Sequence, residues 1–167
     1  MCSSDLDFIT SIGLRLPLSV KGRASIAFGG EDGPFELTKE IGGLHHTSGL
    51  GYEIWEAGER GAEVSEYGRA SGGWADISWD GRGVAVIMRN MREESPKELI
   101  ADVKHGMITA YLWPESSYPI NMRRYSETPH RGQGESLAHI MDRSNYKILP
   151  YGIGKTHELM VYFHEGD

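Results

Sequence analysis

Residues 74–88 read Trp74-Ala-Asp-Ile-Ser-Trp-Asp-Gly-Arg-Gly-Val-Ala-Val-Ile-Met88. The Asp80-Gly81 pair favours the positive φ angles of a type I′ turn, and apolar residues alternate on both sides of it, which indicates a β-hairpin. The turn sets a register in which Ile77 faces Val84. We therefore predict that one face of the hairpin lies in a hydrophobic core, formed by Ala75, Ile77, Trp79, Val84, Val86 and Met88.

The remaining sequence shows short segments of the same kind, separated by turn residues. Residues 31–51 and 126–134 are interpreted as loops, and residues 135–142 as one short helix. Strands at about ten-residue spacing indicate an antiparallel sandwich or barrel. The predicted fold is mainly β, an antiparallel β-sandwich with long loops and at most one or two short helices. Its further strands are predicted at 12–18, 23–28, 52–55, 99–103, 107–113, 120–125 and 156–164, with another hairpin within 56–69.

Length and charge restrict the function classes. The chain has 167 residues, enough for one domain, and 17 Lys and Arg against 24 Asp and Glu give a net charge of -7. An acidic chain without a basic stripe is a poor nucleic-acid binder. No apolar stretch approaches the ~20 residues that a membrane helix needs. A single cysteine excludes an intrachain disulfide, and no Cys/His spacing is typical of zinc, so no cofactor is expected.

The N-terminus has an unusual composition. Residues 1–6, Met1-Cys-Ser-Ser-Asp-Leu6, look like a translated sequencing-library adaptor, and the alternative is an ordinary, slightly frayed N-terminus. On the first interpretation, residues 7–167 form the β-sandwich domain and are a fragment of a larger multidomain enzyme. A signal region would then be missing, so an extracellular, a periplasmic and a bacterial cytoplasmic location all stay open.

Two histidines in the predicted loop, His45 and His46, are the nearest approach to a metal pair. Adjacent residues in a strand point to opposite faces, so both can reach one ligand only from a loop. Spacing places no third ligand beside them, and we predict no metal site. They remain candidates for substrate binding, the alternative being one loop histidine and one packed histidine.

A basic segment contains Arg123, Arg124, His130 and Arg131. Arginine binds carboxylates through two parallel hydrogen bonds, and uronic-acid polymers carry one carboxylate per acidic sugar. The segment is therefore a candidate groove for an acidic polysaccharide or oligosaccharide. The alternative is that these arginines pair with surface carboxylates of the same chain. Trp113 is a further candidate, because aromatic faces stack on sugar rings, although aromatic residues in strands more often lie in a core.

The order of several motifs resembles one enzyme family. The stretch from Gly83 to Leu99 with its Ser-Pro-Lys-Glu-Leu ending, Leu112-Trp-Pro-Glu115, Met122-Arg-Arg-Tyr125 and the closing Gly152 to His164 follow one another. This order is similar to that of the exo-rhamnogalacturonan lyases of polysaccharide lyase family twenty-six and their YetA-like relatives. The similarity falls on the central β-sandwich of that family.

The resemblance implies the function of a parent enzyme. Such an enzyme would cleave rhamnogalacturonan-type pectin by β-elimination, with an N-terminal barrel and a C-terminal α/α toroid as partner domains of the same chain. No catalytic residue can be transferred, because none of the matching motifs is a catalytic one. The expectation is a β-sandwich that is inactive alone and supports or completes the substrate cleft. The alternatives are a non-catalytic carbohydrate-binding module and a structural spacer domain.

Overall fold

A computed structural model describes residues 8–58, 61–121 and 155–165 of the chain. These residues form β-strands joined by turns and loops, and no helix occurs in these ranges. The strands are β1 (Phe8–Ile9), β2 (Ile12–Pro17), β3 (Ala24–Gly29), β4 (Pro34–Glu36), β5 (Ile41–Ser48), β6 (Gly51–Gly58), β7 (Gly61–Gly68), β8 (Trp74–Trp79), β9 (Arg82–Met88), β10 (Lys97–Asp102), β11 (Met107–Trp113), β12 (Ile120–Asn121) and β13 (Leu159–Glu165).

Two antiparallel sheets form a β-sandwich, which confirms the predicted fold class. One sheet has six strands in the order β2-β11-β10-β5-β6-β7, and the other has five in the order β13-β9-β8-β3-β4. Both belong to one compact unit, Ser11–Ser117 with His157–Asp167. β1 and β12 pair with each other in a second unit.

The hairpin of β8 and β9 has the predicted turn and register. Asp80 and Gly81 have φ angles of 48° and 70°, the left-handed values that a type I′ turn requires. Ile77 pairs with Val84, as the turn predicts. The predicted core face is buried, with Trp79 packed partly buried against it. This hairpin supplies the centre of the five-stranded sheet, because β8 and β9 are flanked there by β3 and β13.

The core lies between the two sheets and is built from alternate residues of the central strands. Period-2 alternation turns these side chains inward and their neighbours outward. Strands β3, β8 and β9 contribute from one sheet, and β5, β6, β10 and β11 from the other. The buried apolar side chains are Ile26, Phe28, Leu44, Tyr52, Ile54, Ala75, Ile77, Val84, Val86, Met88, Met91, Leu99, Ala101, Ile108 and Ala110.

The loop predicted for residues 31–51 is wrong over much of its length. It contains β4 and the eight-residue strand β5, which lies in the middle of the six-stranded sheet. Gly42 and Gly43 hid this strand, because glycine weakens an isolated strand and suggests a turn. In the folded protein these positions are close to Trp55 and Glu56 of β6, where larger side chains do not fit.

The chain's later segments are described only in part. The strand predicted at 156–164 is present but begins at Leu159. β12 covers the start of the strand predicted at 120–125. The remainder of that strand, the loop at 126–134 and the helix at 135–142 lie outside the described residues. In the described ranges, no helix reaches the length and apolar character needed to span a membrane.

Candidate functional site

One row of side chains crosses the outer face of the six-stranded sheet. Strand pairing sets Tyr111 opposite Glu98, Glu98 opposite His45, His45 opposite Glu53, and Glu53 opposite Tyr67. The residues before and after Glu98, His45 and Glu53 are all buried in the sandwich. Because side chains alternate along a strand, the row itself points away from the core. Five strands from two separate parts of the chain, β5–β7 and β10–β11, thus place two carboxyl groups, an imidazole and two phenols side by side.

Two aromatic rings lie against the sheet on this face. A methyl group on Gly43 would stand 2.6–2.7 Å from three atoms of the Trp55 indole. Three near-equal distances mean that the face of the indole covers Gly43. The ring of Tyr111 covers Gly13 in the same way, since a methyl group there would stand 2.9 Å from Tyr111 Cδ1. Glycine therefore allows both rings to lie flat on the strands, and their other faces point outward. We call the row and Trp55 the outer platform: Tyr67, Glu53, His45, Glu98, Tyr111 and Trp55.

Glu98 is the most buried acid of the outer platform, with 8% of its surface exposed. The indole Nε1–H of Trp55 donates to Glu98 Oε1 at 3.2 Å. Burial raises the pKa of the Glu98 carboxyl, while the facing His45 and the Trp55 hydrogen bond act in the opposite direction. The described residues provide one hydrogen bond to this carboxyl, from the Trp55 indole. Its remaining acceptor capacity is open to a hydroxyl group placed beside it.

His45 is half-buried and forms the middle of the row. Its Nε2 lies 3.5 Å from the Ser116 hydroxyl, in the turn that follows β11. That turn is closed by a backbone hydrogen bond from Ser117 N to Pro114 O at 3.1 Å. His45 thus joins the outer platform to the loop at the end of β11.

His46 lies on the opposite face from His45, because the two residues are neighbours in strand β5 and not in a loop. Its side chain is fully buried, its Nε2 lies 2.8 Å from Ser71 Oγ, and its ring packs against that of Tyr52 at 5.6 Å. Burial lowers the pKa of His46. The loop predicted around the two histidines is therefore wrong, His46 is the packed histidine of the alternative interpretation, and only His45 belongs to the outer platform.

Trp113 ends β11 and is half-buried. It follows Leu112, which packs against the core, and it pairs with Ile12 of β2 after a register shift between Tyr111 and Trp113. The buried ammonium of Lys97 donates to Leu112 O at 2.9 Å and to Glu94 O at 2.7 Å, which fixes this end of the strand. Trp113 therefore lies beyond an irregularity in β11 and is not counted in the outer platform, and Pro114 follows it where the strand was predicted to end.

The predicted basic groove lies outside the described residues. This applies to all four of its members, Arg123, Arg124, His130 and Arg131. No local pattern in the sequence predicts that Glu98 is a site residue or that it contacts Trp55. Alternation alone marks both residues as outward-facing. Their contact depends on β10, β5 and β6 being neighbours, which no local pattern reveals.

A second polar cluster occupies the outer face of the five-stranded sheet. Asp76 accepts a hydrogen bond from the Ser78 hydroxyl at 2.7 Å, and its other oxygen lies 2.7 Å from His164 Nε2. The ring of Tyr162 stacks on His164 at 5.8 Å. Both oxygens of Asp76 are thus occupied by partners from the protein itself, in contrast to the carboxyl of Glu98.

Neither a protein-family model nor a curated protein sequence matches the chain significantly. Within the described residues, no group of three or more His, Cys, Asp or Glu side chains is arranged to hold a metal ion. The side chains of the outer platform offer aromatic stacking and hydrogen bonding to hydroxyl groups.

Proposed function

We propose that the chain is a saccharide-binding β-sandwich domain of a pectin-type polysaccharide lyase, and that the outer platform is its sugar site. The observation that carries this proposal is the Trp55–Glu98 pair beside His45. A flat indole next to polar groups suits a sugar ring, which has an apolar C–H face and hydroxyl groups at its edge. Rhamnogalacturonan as the polymer rests on the sequence resemblance.

The charge of the outer platform favours one type of sugar unit. Glu98 and Glu53 would repel the carboxylate of a uronic acid, while they accept hydrogen bonds from hydroxyl groups. A neutral deoxy sugar is therefore the better occupant of the Trp55 and Tyr111 rings. Rhamnogalacturonan alternates such a sugar with galacturonic acid, so the acidic unit would extend beyond the platform.

Binding of rhamnogalacturonan oligosaccharides by isothermal titration calorimetry tests the proposal. We expect binding by the wild-type chain and its loss in Trp55→Ala. Tyr162→Ala is the matched control, since it removes a half-exposed aromatic ring from the opposite sheet. Absent binding by the folded wild type, or equal affinity in Trp55→Ala, would contradict the proposal.

Two further measurements separate the lyase domain from a general carbohydrate-binding module, which the same platform would also serve. We expect no unsaturated uronate product when the chain alone is incubated with rhamnogalacturonan, because the catalytic residues are expected in the toroid. We also expect preference for rhamnogalacturonan over neutral glucans. Equal binding to both polymers would favour the module, and cleavage by this chain would show that it is not inactive alone.

A further inference from the structure

A serine that lines a cavity contacts a histidine on the inner face of the six-stranded sheet. Ser71 lies in the segment that joins β7 and β8, and its Oγ is 2.8 Å from Nε2 of the fully buried His46. Ser71 is half-buried and lines an open cavity of about 170 Å³, together with Gly73 and Arg92. A hydroxyl that reaches a cavity on one side and an imidazole on the other has the arrangement of an activated nucleophile.

The surroundings of His46 keep its imidazole neutral and therefore able to accept a proton. Burial is the largest influence and lowers its pKa, and the positive charge of Arg92 acts in the same direction. The carbonyl oxygens of Gly51 and Ser48 lie near the ring and raise the pKa, but Nδ1 forms no hydrogen bond with any described residue. A neutral ring with its proton on Nδ1 leaves Nε2 as the acceptor for the Ser71 hydroxyl.

The cavity also holds a donor for a developing negative charge, the guanidinium of Arg92. The backbone N–H of Gly73 donates to Ser71 Oγ at 3.3 Å and orients the hydroxyl. Arg92 donates its Nε–H to Gly49 O at 2.9 Å, and its other N–H groups have no hydrogen bond among the described residues. A donor of this kind beside a nucleophile stabilises the oxyanion formed by acyl transfer. Arg92 also makes the imidazolium of His46 less favourable, so turnover by this pair is expected to be slow.

We propose that Ser71 is a nucleophile with His46 as its general base, and that the cavity accepts small acyl esters. Ser71 Oγ forms a bond to the ester carbonyl carbon while its proton passes to His46 Nε2. The bond to the alkoxy group then breaks, and the alcohol leaves with the proton from His46. Water then attacks the carbonyl carbon of the acyl-serine while one of its protons passes to His46 Nε2. The bond to Ser71 Oγ breaks, His46 returns the proton to Oγ, and the carboxylic acid is released. This activity goes beyond the proposed sugar binding and uses no residue of the outer platform.

Covalent labelling with a fluorophosphonate probe tests the proposal on the whole chain. Attack by Ser71 forms an Oγ–P bond, fluoride leaves, and His46 takes the proton. We expect one adduct by mass spectrometry, located on Ser71, no adduct in Ser71→Ala, and at least about tenfold slower labelling in His46→Gln. Ser78→Ala is the matched control, since the Ser78 hydroxyl donates to Asp76 and not to a histidine.

The pH dependence of labelling provides a test that does not depend on folding of a variant. Because His46 must be neutral and its pKa is lowered from 6.5, we expect the wild-type rate to rise through an inflection below pH 6.5 and then to level off. A rate that keeps rising above neutrality, an adduct that persists in Ser71→Ala, or no adduct on the folded wild type would overturn the proposal. Sugar binding by Ser71→Ala is expected to be unchanged, so failure of this proposal is distinguishable from failure of the sugar site.

Discussion

Glu98 and Asp76 occupy corresponding places in the two sheets. Each lies on a strand inside its sheet and points away from the core, yet their surroundings differ. Asp76 has both oxygens occupied, by the Ser78 hydroxyl and by His164 Nε2. Glu98 is buried beside Trp55, with an indole N–H on one oxygen and a raised pKa. The first arrangement holds β13 on the sheet, whereas the second leaves hydrogen-bonding capacity for a ligand.

The comparison shows how burial and partners separate structural from binding carboxyl groups. A carboxylate with a full set of partners within the protein stabilises the fold and has little left to offer a ligand. A carboxyl that is desolvated and only partly bonded gains hydrogen bonds when a hydroxyl group approaches. The predictions below test whether the two outer faces differ in this way.

The largest difference is expected for the indole. Trp55→Ala removes the ring that covers Gly43 and holds Glu98, and we expect it to reduce the affinity for rhamnogalacturonan oligosaccharides by about 2 kcal/mol, roughly 30-fold. Calorimetric titration measures the loss. Tyr67→Ala removes the most exposed aromatic ring of the same row, and we expect it to reduce the affinity less than Trp55→Ala does. A larger loss of affinity in Tyr162→Ala than in Trp55→Ala would place the sugar on the five-stranded sheet and contradict the proposed site.

The Asp76 cluster is expected to affect stability and not sugar binding. Asp76→Asn weakens the contacts with His164 and Ser78, and we expect the free energy of unfolding to fall by about 1.5 kcal/mol. Urea denaturation of this variant, of His164→Gln and of the double variant measures the coupling between the two side chains. Additive effects would show that the contact between Asp76 and His164 does not hold β13, and reduced sugar affinity would contradict the distinction between the faces.

The raised pKa of Glu98 predicts a pH-dependent effect on stability. A carboxyl whose folded pKa exceeds its ordinary value of 4.5 binds protons more tightly in the folded state, so its contribution is fully present below that value and is lost as the pH rises through the folded pKa. Glutamine does not titrate, so the Glu98→Gln variant does not lose stability in this way. As the pH rises from acidic to neutral, its free energy of unfolding should therefore increase relative to that of the wild type.

Urea denaturation over that pH range measures this gain. Glu53→Gln is the matched control, because it removes a carboxyl from the same row at an exposed position. A pH-independent difference between Glu98→Gln and wild type would contradict the raised pKa.

The smallest effect is expected for the exposed ion pair at the start of β13. Arg89 Nη1 lies 2.6 Å from Glu158 Oε2, and both side chains are largely exposed. Exposed pairs contribute little, because solvent screens the charges and both side chains lose freedom. Arg89→Ala should leave the midpoint of thermal unfolding unchanged within error. A clear decrease would show that this pair, in addition to the Asp76 cluster, holds β13.

Local patterns were enough to predict the strands whose pairing is local. The β8–β9 hairpin was predicted with its register, because the Asp80-Gly81 turn and the alternation around it are both in one short stretch. The strands predicted at 99–103 and 107–113 pair as β10 and β11, across a short turn in which Gly106 has a φ of 58°. Strand β5 was missed, since its glycines and histidines resemble a loop until β6 and β10 are placed beside it.

The candidate sites could not be predicted, because they depend on pairing between distant strands. His45 was identified as a candidate for its residue type, but its partner Glu98 is brought next to it only by the β5–β10 pairing. Ser71 and His46 are likewise separated in the sequence by strands β6 and β7, and only the fold brings them into contact. The local pattern of a strand indicates which of its positions face outward, but it does not indicate the order of the strands in a sheet.

Chemical-shift mapping by nuclear magnetic resonance tests the outer platform most directly. Rhamnogalacturonan oligosaccharides would be titrated into the isotope-labelled chain while the backbone amides and the Trp55 indole N–H are followed. We predict that the largest shifts fall on the Trp55 indole and on the amides of Glu98, His45 and Tyr111. Shifts confined to the face of Asp76 and His164, or no shifts at saturating sugar, would contradict the account.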